Sequence, residues 1–293
     1  MLSEHPQLPQ LIALLEEQLI QPQQGLSAIY TDLISYSQHF QLPNQLNCSL
    51  ADFSAPLRAY IQHLQPDITT LAIDLPIYFK AEKQTDQTLM ICAMDPLPPL
   101  PTSSFWEGKT IRLQEEVGFW APFSLIDNWE QPTGSMKSNL PFFRTLLQSH
   151  NLYITDIYKL FFRQIKPNRF VNSNSISTYT QFRNEVGSSL HGHILSKEIE
   201  LIKPKAIITL GNAARQQLLA INELENGAMQ QSQKWAAHIQ QYKWHQTLPI
   251  LASPHISGAA NGTKAAILNN PEFANISGRY QNERLAKIIL NHL

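Results

Sequence analysis

Cysteine is nearly absent from this chain. Only Cys48 and Cys92 occur in 293 residues, which excludes a disulfide framework, a four-cysteine zinc site and a cysteine-ligated iron–sulfur cluster. Charge is scarce as well, with charged residues at 15% against about 25% in an ordinary soluble domain. The 22 Lys and Arg are balanced by 23 Asp and Glu, for a net charge of −1. The molecule therefore has no global basic footprint, and any attraction to a polyanion must be local. No apolar run approaches the roughly 20 residues of a membrane helix. The opening MLSEHPQLPQ carries an acid and no basic stretch, so no secretory signal is expected. Internal repeats and low-complexity linkers are also missing. What is present is an ordinary globular apolar content of 43% and 27 glutamines, which outnumber all the Lys and Arg. The expectation is a soluble, cytoplasmic protein with ample length to bury a core.

The pattern of the chain changes near residue 70. Before it, LPQLIALLEEQLI (8–20) sets Leu and Ile at helical intervals, and further helical stretches are expected over 26–40 and 54–64. Residues 1–69 thus read as a helical N-terminal extension packed on the core. After it, 70–293 reads as one α/β domain. Four short apolar runs, TLMICAM (88–94), NLYITDIY (151–158), KAIITLG (205–211) and LPILASP (248–254), are bounded by Pro, Asn or Gly. Continuous apolar strands of this kind are covered on both faces, which predicts a central four-stranded parallel sheet with helices on both sides. Helices are expected over about 137–149, about 180–202 and 212–222, with Asn212 as a candidate cap. A last helix is expected within Ser277–Leu293, with a capping residue at its start and a Leu/Ile stripe.

Ligands of open parallel sheets bind outside the carboxyl ends of the strands. Three of the four ends carry candidate chemistry: Asp95 after the first strand, Asp156 at the end of the second, and His255 after the fourth. Two carboxylates and an imidazole on one sheet edge form an acid–base constellation. Singly, each residue is also an ordinary turn former, cap or structural hydrogen-bonder.

The order of motifs resembles the uracil-DNA glycosylase superfamily over about 70–275. Ala93-Met94-Asp95-Pro96-Leu97-Pro98 stands where that family has its water-activating motif. Pro122-Phe123-Ser124 resembles its base-stacking Phe-Ser pair, and Thr155-Asp156-Ile157-Tyr158-Lys159 its Thr-Asn strand end followed by Lys. Residues 204–214, PKAIITLGNAA, are similar to the third strand, and His255-Ile256-Ser257-Gly258 to the His-Pro-Ser motif. The resemblance implies a glycosylase that hydrolyses a base–sugar bond. Asp95 would orient water and stabilise the sugar cation, and His255 would donate to the departing base. Phe123 would stack on an extruded base, unless it is a core aromatic. Met94, Leu97 and Asp156 would line the base pocket, and Lys159, Ser257, Gly258 and Lys264 would contact nucleic acid.

Departures from the family pattern bear on the substrate. Asp156 replaces the base-reading Asn. An ionised carboxylate only accepts, favouring an exocyclic amino group, whereas a protonated one would imitate the amide. Leu97 replaces the Tyr that excludes a thymine methyl, and Ala259 replaces the wedging Leu, which argues against ordinary duplex scanning. The expected partner is DNA, single-stranded or damaged forms included, bound by a monomer that needs no cofactor and no metal. The expected substrate is a deaminated or otherwise aberrant base. The alternative is a catalytically silent module of the same fold that binds nucleic acid or a protein. A small-molecule hydrolase would need a nucleophile beside a base, and the sequence offers none.

Three further features stay open at this level. Lys159, Arg163, Lys166 and Arg169, interleaved with Phe161, Phe162 and Phe170, read as a phosphate-holding run or a solvated surface. His191-Gly192-His193 reads as a helix surface rather than a metal pair. Residues 228–247 read as an insertion, either a helix or a hairpin.

Overall fold

The computed structural model describes residues 2–22, 25–39, 50–55, 57–58, 70–94, 117–120, 125, 129–166, 169–172, 188–226 and 238–293. The four predicted parallel strands are present as β3 (Thr88–Ala93), β5 (Asn151–Asp156), β8 (Ala206–Leu210) and β10 (Leu248–Ser253). They lie in the order β5-β3-β8-β10, all parallel. Two antiparallel strands flank them: β2 (Ile77–Phe79) beside β5, and β9 (Gln240–Trp244) beside β10. The chain is thus an α/β protein with a parallel-dominated sheet flanked by helices.

Strand alternation sorts the core into two layers. On one face, Leu89, Ile91, Leu152, Ile154 and Ile208 meet Leu140, Phe143 and Leu146 of α3 (Met136–Leu147). The same layer takes in Ile267 and Leu268 of α6 (Asn261–Leu268) and Leu285, Ile288 and Ile289 of α7 (Gln281–Leu290). On the other face, Met90, Cys92, Tyr153, Ile207 and Ile250 meet Leu195, Ile199 and Ile202 of α4 (Ser188–Ile202) and Leu218 of α5 (Asn212–Asn226). Every residue of β3, β5 and β8 is buried, as strands covered on both sides must be.

A second sheet, absent from the sequence expectation, has the order β4-β1-β6-β7. It contains β1 (Thr70–Asp74), β4 (Val117–Trp120), β6 (Leu160–Lys166) and β7 (Arg169–Asn172). Its strands are short or rich in Arg and Lys, so they lack the continuous apolar signal of the main sheet. The helices α1 (Leu8–Gln18) and α2 (Leu26–His39) pack on it: Leu15, Leu19, Leu26 and Ile29 bury against Ile73, Leu160 and Ile194. Leu11 reaches the main core beside Tyr78 and Leu195.

Several local expectations are refined. Most of the 54–64 helix and the 180–187 portion of the fourth helix lie outside the described residues. The last helix starts at Gln281, with Tyr280 at its N-cap and no side-chain cap. Asn212 turns its side-chain oxygen to the Arg215 guanidinium. Within 228–247, the described part forms the hairpin arm β9, closed through His245 and Gln246 at positive φ, and Trp244 is buried. Of the basic run after the second core strand, Lys159 lies in the loop before β6, Arg163 and Lys166 lie on β6, and Arg169 opens β7.

Candidate active site at the carboxyl ends of the strands

The register fixes which strand ends face one another. Ala93 pairs with Asp156, Cys92 with Thr209, and Leu210 with Ser253. Asp156, Ala93, Leu210 and Ser253 therefore form one level row across the sheet. At about 4.8 Å per strand, the row spans roughly 14 Å from β5 to β10. The chain leaves β3 towards β5 on one side and runs from β8 to β10 on the other. The strand order reverses between β3 and β8, which is where open sheets place their ligands.

His255 lies two residues past this row. Its Nδ1 accepts from the Ser257 backbone N–H at 3.1 Å, with Ser257 Oγ at 2.7 Å. A nitrogen that accepts from a backbone N–H has no proton of its own, so the neutral ring carries its hydrogen on Nε2. Burial, and then the charge of Lys264, lower the imidazole pKa below its ordinary value, which keeps the ring neutral near pH 7. Gly211, at the end of β8, lets the ring sit this close. Its φ is +96°, and a Cβ there would lie 3.3 Å from His255 Cβ. Gly211 N–H donates to Ser253 O at 2.8 Å and ties the two strand ends together. Ser257 is half-buried, and exposed Gly258 opens a short 3-10 turn through Ala260.

At the opposite end of the row, the 156–159 loop carries the chain from β5 into β6 of the second sheet, and it is held by a buried ion network. Lys159 Nζ donates to Asp74 Oδ2 and Glu198 Oε2, each at 2.9 Å, and all three side chains are fully buried. Asp74 Oδ2 also accepts from Thr155 Oγ1 at 2.9 Å and from the Asp156 N–H at 3.1 Å. The Asp74 N–H donates to Lys159 O at 2.9 Å, and His191 Nδ1 accepts from the Lys159 N–H at 2.9 Å. Burial, opposed by Lys159, pushes the Glu198 carboxyl up to about 7 and raises Asp74 as well. Burial works against the Lys159 ammonium too, but the two carboxylates outweigh it and its pKa rises. Asp156 is only 2% exposed.

Two expected nucleic-acid contacts are corrected by this geometry. Lys159 has 0% exposure, and its ammonium is used by Asp74 and Glu198. Lys264 has 3% exposure, and its three donors go to Ile256 O, Ser257 O and Asn282 Oδ1. Both ammonium groups are buried and spend their donors inside the protein. His191 is likewise buried rather than on a helix surface, whereas His193 is exposed. Met94 is half-buried, and its carbonyl accepts from the Tyr158 N–H at 3.0 Å. The structure thus brings together the ends that carry Met94, Asp156 and His255. Asp95, Leu97 and Phe123 lie outside the described residues.

Asp74, Glu198, His191 and Asn282 escaped the sequence reading as parts of this site. The available signal was a polar residue on an apolar stripe. Glu198 falls three and four positions from Leu195 and Ile194, and Lys264 precedes Ile267 and Leu268 at the same spacing. Asn282 does so before Leu285 and Ala286. At those positions burial is dictated by the helix, so a partner must be built in.

The family described as the Uracil DNA glycosylase superfamily matches residues 122–276, more than half of the chain. The chain belongs to the uracil-DNA glycosylase superfamily. The matched segment takes in β5, β8, β10 and the His255 loop. Asp95 on the amino-terminal side and α7 on the carboxyl-terminal side fall outside it. Membership points to glycosylase-like activity and to DNA as the general partner. No curated protein matches the sequence.

Proposed function

We propose that the protein is a DNA glycosylase that hydrolyses the N-glycosidic bond of a deaminated or otherwise aberrant base. The observation that carries this reading is His255. Its Nδ1 accepts from the Ser257 N–H and its pKa is lowered by burial, so a neutral Nε2–H donor stands at the ligand-binding edge of the sheet. Such a donor stabilises negative charge developing on a departing base, and preorganised donors contribute a few kcal/mol each. Asp95, two residues beyond Ala93 as His255 is two beyond Ser253, would orient water and stabilise the sugar cation. Asp156 at the far end of the row would select the base, assisted by Phe123, Met94 and Leu97. Base extrusion is required, because the reacting carbon is inaccessible in a duplex.

The test is incubation with single- and double-stranded oligonucleotides carrying uracil, hypoxanthine, xanthine or mismatched cytosine, followed by alkaline cleavage. Strand scission at the aberrant base is expected, with losses of at least ~100-fold in Asp95→Asn and His255→Ala. Undiminished product in either variant removes that residue from the mechanism. A silent binding module is the second reading, favoured by Asp156 in place of Asn, Leu97 in place of Tyr and Ala259 in place of the wedging Leu. It predicts no product on any substrate together with retained, salt-sensitive DNA binding.

A further inference from the structure

Lys264 was expected to grip phosphate, and the structure gives it another task. The Ile256 carbonyl accepts from Lys264 Nζ and from Asn282 Nδ2, both at 2.9 Å. The N–H of the same peptide unit, that of Ser257, donates to His255 Nδ1 at 3.1 Å. A cation and an amide thus pull on one end of a peptide dipole whose other end meets the imidazole. Hydrogen bonds in such a chain polarise one another, most strongly at low dielectric.

The surrounding contacts hold this line in place. Lys264 Nζ also donates to Ser257 O at 3.0 Å and to Asn282 Oδ1 at 3.1 Å. Three acceptors match the three hydrogens of an ammonium, not the two of a neutral amine. Asn282 Nδ2 additionally reaches Ser138 O at 2.9 Å and Asn139 Oδ1 at 3.1 Å, tying α3 and α7 to the loop. Among the described residues Lys264 has no carboxylate partner, so its charge is not cancelled locally. Gly211 at the end of β8 and the Ser257 hydroxyl also lie against the His255 ring, and the Arg215 guanidinium on α5 is turned to Asn212 and Gln240.

We propose that Lys264, supported by Asn282, is a positioning residue that acts through the Ile256–Ser257 peptide to hold His255 as the neutral, Nε2-protonated donor. This rests on the reading of His255 as the group facing the leaving base. Lys264 touches no substrate in this scheme; it fixes the tautomer and disfavours the cationic ring.

Long-range proton–nitrogen NMR on the full-length protein tests this without any glycosylase assay, the His255 signals being assigned by their loss in His255→Gln. In the wild type at pH 7 the ring is expected as the Nε2–H tautomer, titrating below 6.5; an Nδ1–H tautomer or a cationic ring overturns the proposal. In Lys264→Met the titration midpoint should rise but stay below 6.5, because burial is the larger cause of the depression and remains. Lys264→Gln, which keeps an amide donor but no charge, should give the same shift if Lys264→Met does not fold. Lys264→Arg should stay near the wild type. A midpoint and tautomer unchanged in the neutral variants reduce Lys264 to a structural clamp. A shifted midpoint in a protein that releases no base sustains this proposal while removing the glycosylase reading.

Discussion

The two loops at the ends of the candidate site are each anchored by a buried lysine, and the lysines are anchored in opposite ways. Lys159, behind the Asp156 loop, faces two carboxylates, Asp74 and Glu198. Lys264, behind the His255 loop, faces two carbonyls and an amide. One anchor sets two acidic groups against a single ammonium, and the other carries a positive charge with no acidic partner among the described residues. The bond cleavage proposed for the site develops positive charge on the sugar and negative charge on the base. An electropositive anchor behind His255 suits the departing base. The same difference teaches that a buried lysine is not one kind of object. Between carboxylates its loss strands charge, whereas between carbonyls its loss strands only polar groups.

The largest expected effect follows from that distinction. Lys159→Met leaves Asp74 and Glu198 buried without a counter-ion and should cost about 3–5 kcal/mol at pH 7. Lys264→Met strands only neutral acceptors and should cost about 1–3 kcal/mol. Urea denaturation of the two variants measures both, and equal losses would break the comparison. Lowering the pH to 5 should narrow the Lys159→Met deficit, since protonated carboxyls no longer need the ammonium.

Glu198→Gln sharpens the acidic side. The folded Glu198 carboxyl titrates at about 7, above its ordinary 4.5, so between these values the folded state holds a proton that the unfolded state has released. The wild type should therefore lose stability as pH rises from 4.5 through 7, and level off above. The isosteric amide removes this loss and should gain roughly 1–3 kcal/mol above pH 7 relative to pH 5, with Asp74 still pairing Lys159. Thermal unfolding across pH 4.5–8 shows it as a flattened profile. An unchanged slope would assign the proton elsewhere in the network.

The smallest effect probes the basic side. Ser257→Ala removes the Oγ contact with His255 Nδ1 but leaves the backbone N–H in place. The cost should be about 0.5–1.5 kcal/mol, with the Nε2–H tautomer retained in the NMR spectrum. A switch of tautomer would mean that the hydroxyl, rather than the peptide, sets the ring.

How much of this was legible depends on the kind of signal. TLMICA, NLYITD and AIITL announce buried strands because their faces are apolar throughout, and their order places Asp156 and His255 on one edge. The second sheet left no such trace, since the described strands β1, β4 and β7 span four or five residues and β6 carries Arg163 and Lys166. A lysine near a strand end, such as Lys159, has the same local sequence whether it meets water or a carboxylate 85 residues away, and a lysine on a short helix, such as Lys264, has the same local sequence whether it meets water or buried carbonyls.

By itself, then, the sequence determined the parallel sheet, its covering helices and the edge on which candidate chemistry gathers. These follow from hydrophobic periodicity, which is local. Only the tertiary structure decided which charges are buried and with whom. Asp74 reaches the Asp156 loop from another sheet, and Asn282 reaches the His255 loop from the last helix. The protonation of His255 and the polarity of the two anchors depend on those long-range pairings, because the energy of a buried charge is set by its spatial neighbours, whatever their place in the chain.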